Sequence, residues 1–190
     1  MESLKISRLV STGQIHGDKI CRINDSLPPG EKELQGYDSL ITAVPGIFLL
    51  IQQADCQAVL LFDPKCRVIA NIHVGWRGSV IEIIKKTIET MKSSYHTDPV
   101  DLRAAISPSL GACCAEFVNF RQELPKSFYK YQIKENYFDF PAISRDQLLS
   151  CGVKPANIEL SGICTRCDSR WFSYRRQRHT GRFCSVIGLR

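Results

Sequence analysis

A cysteine and a histidine stand on either side of a short turn in the stretch running from Gln53-Ala54-Asp55-Cys56 to Ser79-Val80-Ile81-Glu82. Ala58 to Phe62 is apolar, Asp63-Pro64-Lys65-Cys66 is turn-like and Val68 to Ile72 is β-prone, a pattern that predicts a β-hairpin. Asp followed by Pro suits the opening of a type I turn. Folding about the Pro64–Lys65 bond sets Cys56 opposite His73, on one face, with Cβ atoms roughly 5 Å apart. A one-residue slip would turn one of them to the other face. A soft sulfur and an imidazole in one small volume allow two chemistries. One is a thiolate nucleophile with its base. The other, given one more ligand, is a zinc site with three protein donors and an open position. His16 follows a polar turn, precedes Gly17 and is the best third candidate. Asp55 could orient an imidazole or cap a turn, and the cap is the expected role.

The hairpin runs into Gly75-Trp76-Arg77-Gly78 and then Ser79. Val80, Ile83, Ile84, Thr87, Ile88 and Met91 recur at helical spacing. Ser79 with Glu82 three residues on has the form of a capping box, which predicts a helix starting at Ser79 and ending near Ser94. A glycine-bearing loop at a helix N-terminus suits an anion such as phosphate. Arg77, Gly78 and Ser79 are the candidate phosphate contacts, with Arg77 adding a fork of donors. Farther on, Phe172-Ser173-Tyr174-Arg175-Arg176 mixes aromatics with fixed charge. It could bind a base and a phosphate, with Arg175 as the contact, or form an edge strand with a solvated face.

These residues need a scaffold, and the rest of the chain supplies one. Its 190 residues, 44% hydrophobic and 23% charged, suit one globular domain. The net charge of +6 suits anionic substrates, but no long basic run points to nucleic acid. No stretch reaches the roughly 18 unbroken apolar residues of a membrane span, and the first residues lack the apolar core of a signal peptide. Nine cysteines, an odd number, fit free thiols in a reducing cytoplasm better than a disulfide framework. Cys164-x-x-Cys167 looks like half of a zinc ribbon. Adjacent Cys113-Cys114 lacks the spacing of a second half, so all four are expected to be buried, inert thiols.

Short strands are expected at Lys19 to Ile23, Asp38 to Thr42, Ile47 to Gln52, Leu102 to Ser107, Ile158 to Leu160 and Phe183 to Leu189. Leu27-Pro28-Pro29-Gly30-Glu31 reads as a loop, and residues 4 to 12 are too short to assign. Pro141 to Cys151 predicts a helix with Pro in its first turn and Gly152 as its stop. Many strands with two or three helices make a mixed α/β or α+β domain, its sheet flanked by helices.

Taken together, several motifs are similar to those of the laccase-domain family, first called polyphenol oxidases. They are Gln53-Ala54-Asp55-Cys56, Ile72-His73-Val74-Gly75-Trp76-Arg77-Gly78, Ile106-Ser107-Pro108-Ser109-Leu110-Gly111-Ala112-Cys113-Cys114, and Cys164-Thr165-Arg166-Cys167-Asp168 with Phe172-Ser173-Tyr174-Arg175-Arg176 and Thr180-Gly181-Arg182. The resemblance runs from about Gln14 to Leu189 and implies a mixed α/β fold shared with some cysteine hydrolases. It implies a zinc-dependent purine nucleoside phosphorylase with adenosine deaminase and methylthioadenosine phosphorylase activity. The family's metal ligands fall on His16, Cys56 and His73, and the resemblance supplies the third ligand that spacing alone leaves open. Within the pattern, Gln53 stands where Thr is usual, Ser107 replaces Gly and Ala112 replaces Pro. The segment before His16 is also shorter than is usual in the family.

The leading expectation is therefore a cytoplasmic zinc enzyme acting on purine nucleosides and phosphate, as a monomer or small homo-oligomer, with no nucleic-acid or membrane partner. Cys56, His73 and Arg77 are its candidate catalytic residues. The rivals are a Cys–His hydrolase using Cys56 and His73, a copper-dependent polyphenol oxidase and a non-catalytic zinc-binding homologue. Type-1 copper would want a weak axial ligand, and neither methionine, Met1 or Met91, lies near the motifs.

Overall fold

The computed structural model of the chain describes residues 8–24 and 33–190. The loop expected at Leu27 to Glu31 lies outside the described residues. Among those described, the strands are β1 (Arg8–Gly13), β2 (Ile20–Ile23), β3 (Glu33–Gln35), β4 (Ser39–Thr42), β5 (Ile47–Gln53), β6 (Gln57–Asp63), β7 (Val68–Val74), β8 (Arg103–Ile106), β9 (Gln132–Lys134), β10 (Tyr137–Phe138), β11 (Ile158–Leu160) and β12 (Phe183–Gly188). The α-helices are α1 (Trp76–Val80), α2 (Ile83–Tyr95), α3 (Phe120–Glu123) and α4 (Phe140–Ser150).

The mixed α/β expectation holds, with the strands divided between two main sheets. One has the order β11-β8-β6-β7-β4-β2 and the other β12-β5-β1-β3, with β9 and β10 forming a small hairpin apart. Both sheets mix parallel and antiparallel pairs. All seven residues of β7 are buried, as befits a strand covered on both faces. On one face Ile83, Ile84, Ile88 and Met91 of α2 pack with Leu148 of α4. On the other, Leu40 and Ile69 meet Val10 and Leu49 of the smaller sheet. Each such side chain removed from water contributes about 1.5–3 kcal/mol. Asn71 bridges the two sheets, its Nδ2 donating to the carbonyls of Leu49 and Ser185, both at 2.9 Å.

The β6–β7 hairpin forms, but its register is two residues from the expected one. Ala58 pairs with His73 and Asp63 with Val68, so the turn centres between Lys65 and Cys66. The Asp63 side chain sets it: Oδ1 accepts the N–H groups of Lys65 and Cys66 at 2.9 and 3.0 Å. Arg67 completes the turn in the left-handed region, at φ 52°. A shift of two preserves the face of every side chain, so Cys56 becomes a diagonal neighbour of His73 rather than its opposite.

The single helix expected from Ser79 is two helices. The first begins at Trp76 and ends at Val80, and the second begins at Ile83 after Glu82 takes the left-handed region at φ 56°. No capping box forms. The Ser79 hydroxyl donates back to the Gly75 carbonyl at 3.3 Å, inside α1. The break is held by tertiary contact, because Gln147 Nε2 of α4 donates to the Ser79 carbonyl at 2.8 Å. Elsewhere α4 begins at Phe140, one residue before the expected Pro141, with Pro in its first turn as expected and Asp139 capping the Ala142 N–H at 2.9 Å.

Candidate metal centre and substrate cavity

Three elements deliver three donor groups to one point. His73 comes from β7, Cys56 from the bend that precedes β6, and His16 from the loop between β1 and β2. Their ligand atoms all lie within 4.8 Å of one another. Cys56 Sγ is 3.8 Å from His16 Nε2, and the two imidazoles meet edge-on with centroids 4.7 Å apart. A tetrahedral zinc with Zn–S of about 2.3 Å and Zn–N of about 2.0–2.1 Å separates sulfur from nitrogen by about 3.6 Å. The donor set therefore fits such an ion and leaves a fourth position open. Gly75 makes the approach feasible: a Cβ there would sit 2.9 Å from His16 Cδ2 and 3.2 Å from Cys56 Sγ.

Asp38 holds two of these ligands in place. It is fully buried at the start of β4. Its Oδ1 accepts from His73 Nδ1 at 2.8 Å and from the His16 N–H at 2.9 Å. Its Oδ2 accepts the N–H groups of Gly17 at 2.7 Å and Ile15 at 3.2 Å. With Nδ1 committed to Asp38, His73 is left to offer Nε2 to the site, the arrangement in which an outer carboxylate orients a ligating imidazole. The same carboxylate pins the His16 loop, whose His16 has φ 61°. Nothing in the spacing of the sequence pointed to Asp38. Asp55, expected to cap a turn rather than to orient an imidazole, accepts the Thr165 hydroxyl at 2.7 Å and the Arg175 N–H at 2.6 Å.

Charge follows this geometry. Burial alone would raise the Cys56 thiol, but hydrogen bonds from His16 and His73 outweigh it and pull its pKa down from 9.0 to about 6. Burial would lower His73, but Asp38 and the Cys56 thiolate raise it from 6.5 to about 9. The cysteine is thus poised as a thiolate, the form that ligates metals and attacks electrophiles.

The three donors sit in the wall of a cavity of about 580 Å³. Trp76, Phe117, Phe140 and Tyr174 supply apolar wall, and Arg77, Arg175 and Arg182 supply positive charge. The Arg77 guanidinium lies over the Trp76 ring, 4.6 Å from its centre. Arg175 is anchored through Nη1 to the Glu116 carbonyl at 2.9 Å. The structure thus brings His16, Cys56, His73, Arg77 and Arg175 together. It does not bring Gly78 and Ser79, which are buried and absent from the lining, because α1 starts three residues earlier than expected. Tyr174 and Arg175 lie in a turn at the cavity rather than on an edge strand.

Two departures from the family pattern touch each other beside the cavity. Gln53 Nε2 donates to Ser107 Oγ at 2.9 Å, and that oxygen also accepts the Ala58 N–H at 2.9 Å.

The four remaining motif cysteines are not the scattered buried thiols expected. Cys113, Cys114, Cys164 and Cys167 converge so that their sulfurs all lie within 4.8 Å, and Cys113 and Cys167 are exposed. All nine cysteines are free thiols.

The register of the hairpin does not depend on its turn alone. On their outer edges β6 is paired to β8 and β7 to β4. The turn residues Pro64 to Arg67 are exposed. One residue inserted after Lys65 should therefore be absorbed in the loop, with the metal content of the purified protein unchanged. Loss of the metal on insertion would mean that the turn, not the neighbouring strands, sets the register.

Known proteins match this architecture. The family described as multi-copper polyphenol oxidoreductase laccase matches residues 1–190. A purine nucleoside phosphorylase of Bacteroides thetaiotaomicron is 35% identical over 77% of the chain and 58% of its own length. One from Clostridium acetobutylicum is 34% identical over 92% of the chain and 74% of its own length. A protein described as an adenosine deaminase, from an unknown prokaryotic organism, is 31% identical over 88% of the chain and 70% of its own length. The crystal structure of YlmD from Geobacillus stearothermophilus superposes with a TM-score of 0.86 at 29% identity, covering 98% of this chain and 74% of that one. The chain spans little more than half of the first of these relatives and about three quarters of YlmD. By the match over its whole length, the chain is a member of the multi-copper polyphenol oxidoreductase laccase family.

Proposed function

We propose that the chain is a zinc enzyme that cleaves purine nucleosides with phosphate, and that adenosine deamination and methylthioadenosine phosphorolysis use the same site. One observation carries the reading: three converging donors that could hold a metal share a cavity with arginines and flat aromatic walls. The relatives named as purine nucleoside phosphorylases and adenosine deaminase support it. His16, Cys56 and His73 would hold the zinc, which would supply Lewis-acid chemistry there. The aromatic walls suit the faces of a purine, and Arg77 and Arg175 suit an anion. In phosphorolysis a phosphate oxygen bonds to the sugar's anomeric carbon as the bond to the purine nitrogen breaks and its electron pair leaves with the base. Holding the anion in line is the main task of the chain's own residues.

Zinc is favoured over copper on the same residues. The ligand count fits a type-1 copper site, but Met91 lies on the buried face of α2, in the core, so it cannot be the axial ligand. One further reading has its own support. Asp38, His73 and Cys56 form a chain of carboxylate, imidazole and thiolate that would also serve a cysteine hydrolase. A chelator separates the two, abolishing the first activity and sparing the second. We take residues 1–190 as one domain of a cytoplasmic monomer or small homo-oligomer, without nucleic-acid or membrane partners. No helix among the described residues is long and apolar enough to cross a membrane.

The test is base release from inosine or adenosine with and without phosphate. Phosphate-dependent release that chelation abolishes is the expected result. Full zinc occupancy with no turnover would reduce the chain to a zinc-binding homologue. Arg77→Ala should raise the KM for phosphate about 10- to 100-fold, because a charge-assisted contact contributes about 1.5–3 kcal/mol. Equal losses for phosphate and nucleoside would remove Arg77 from the anion site.

A further inference from the structure

Two tight turns, far apart in sequence, present four cysteine sulfurs to one another outside the substrate cavity. The first turn, residues 111–115, carries Cys113 and Cys114, and the second, residues 164–168, carries Cys164 and Cys167. The turns are laced together by backbone. Ser109 and Cys164 form a parallel bridge, with the Ser109 N–H donating to the Ile163 carbonyl at 3.2 Å and the Thr165 N–H to the Ser109 carbonyl at 2.9 Å. Adjacent cysteines can therefore serve as one half of a four-sulfur set although their spacing in sequence is not that of a zinc ribbon.

We propose that Cys113, Cys114, Cys164 and Cys167 bind a second, structural zinc ion as a closed tetrathiolate. The sulfur separations are the main argument. Cys114 lies 3.4 Å from Cys167, Cys113 lies 3.7 Å from Cys167, and Cys113 lies 3.6 Å from Cys114. A tetrahedron of sulfurs about 2.3 Å from zinc has edges of about 3.8 Å. A disulfide would hold its two sulfurs at about 2.05 Å. The surroundings suit thiolates. The backbone N–H groups of Gly111 and Cys167 hydrogen-bond to the Cys164 sulfur, the outer-sphere support that ligating sulfurs receive. Gly111 admits the second turn: a Cβ on it would lie 2.9 Å from the Cys164 Cβ and 3.3 Å from its sulfur. Four thiolates and a divalent ion leave a net charge of two minus. Arg176, whose guanidinium already binds the carbonyls of Thr165 and Arg166, is the nearby positive charge.

The ion would have a structural consequence for the cavity. The turn at residues 164–168 leads into Tyr174 and Arg175, and the turn at residues 111–115 leads into Phe117. All three of those residues line the cavity. Joining the turns through one ion fixes both walls, with the Asp55 carboxylate holding Thr165 and Arg175 from below. Because no vacant position remains, the ion would take no part in chemistry.

The experiment is zinc analysis and zinc-edge X-ray absorption on the full chain purified under reducing conditions. The expected result is about two zinc ions per chain, with about 2.5 sulfurs per zinc at about 2.3 Å, since five thiolates serve two ions. One zinc with about one sulfur would overturn the proposal, as would iron at the four thiolates or a disulfide between the turns. Cys114→Ser with Cys167→Ser should lower the content by one ion and the average to about one sulfur per zinc, while Cys56→Ala should remove the other ion and leave about four sulfurs per zinc. The absorption measurement on the unaltered chain decides the matter even where the double variant does not fold. It is also independent of turnover, so failure of the nucleoside assay would leave it standing.

Discussion

On the proposed function, Cys56→Ala should purify as a folded protein that binds no ion at His16 and His73 and releases no base from any purine nucleoside. Cys56 is half-buried at the cavity wall, so the truncation removes little packing. What it removes is the one thiolate of the set, leaving two imidazoles. Losing an outer-sphere partner of a metal ligand costs about 10–100-fold in affinity. Losing the thiolate itself should cost well more than that, enough to empty the site at micromolar zinc. Elemental analysis should show about one ion per chain fewer than in the parent. Unchanged zinc with abolished turnover would identify Cys56 as a nucleophile and favour the hydrolase chemistry. Unchanged zinc and unchanged turnover would remove Cys56 from the site.

The sequence reveals this centre unevenly, and the reason is range. Cys56 and His73 are visible because a hairpin is local and its side chains alternate with a period of two. The actual register differs by two residues, and the conclusion survives because an even shift keeps the face. His16 lies on a loop that no periodicity positions, and only the resemblance to a family marks it as a ligand. Asp38 is invisible, since the bond that makes it matter joins residues 35 apart through a pair of strands, β4 and β7, not linked by a turn. The four-cysteine cluster is hidden for the same reason: a parallel bridge between Ser109 and Cys164 depends on a connection that the sequence pattern does not specify. The break after Val80 has no glycine or proline to announce it. It follows from the Gln147 contact to Ser79 and from Glu82, which takes a left-handed conformation without being glycine. The capping-box pattern at Ser79 and Glu82 was genuine in sequence and overruled by packing.

Asp38→Ala should destabilise the metal-free protein by about 3–5 kcal/mol, the cost of removing one partner from a buried ion pair. The carboxylate is fully buried and receives four donors, three from the backbone of residues 15–17 and one from His73 Nδ1. Alanine leaves all four donors without this acceptor. Asparagine keeps the shape but offers one accepting oxygen and an NH₂ that faces donors, so Asp38→Asn should fall between alanine and the parent. The pH dependence gives the effect a signature. Burial would raise the Asp38 carboxyl, but His73 and the backbone N–H groups hold it below 3.8. Its contribution is therefore present above the unfolded value of about 4 and lost as pH falls through the lower folded value. His73 is raised to about 9 in the folded state. Its contribution is full below the unfolded value of about 6.5 and lost as pH rises through about 9. The two overlap between about pH 4 and 6.5, so the difference between parent and Asp38→Ala in urea unfolding should be largest there and shrink towards pH 10. In the same variant, zinc affinity measured by chelator competition should fall by more than the 10–100-fold typical of an outer partner, because Asp38 fixes both the His73 ring and the His16 loop. A difference in stability that stays constant from pH 5 to pH 10, with unaltered zinc affinity, would show that Asp38 is only a packing residue and that His16 and His73 find their places without it.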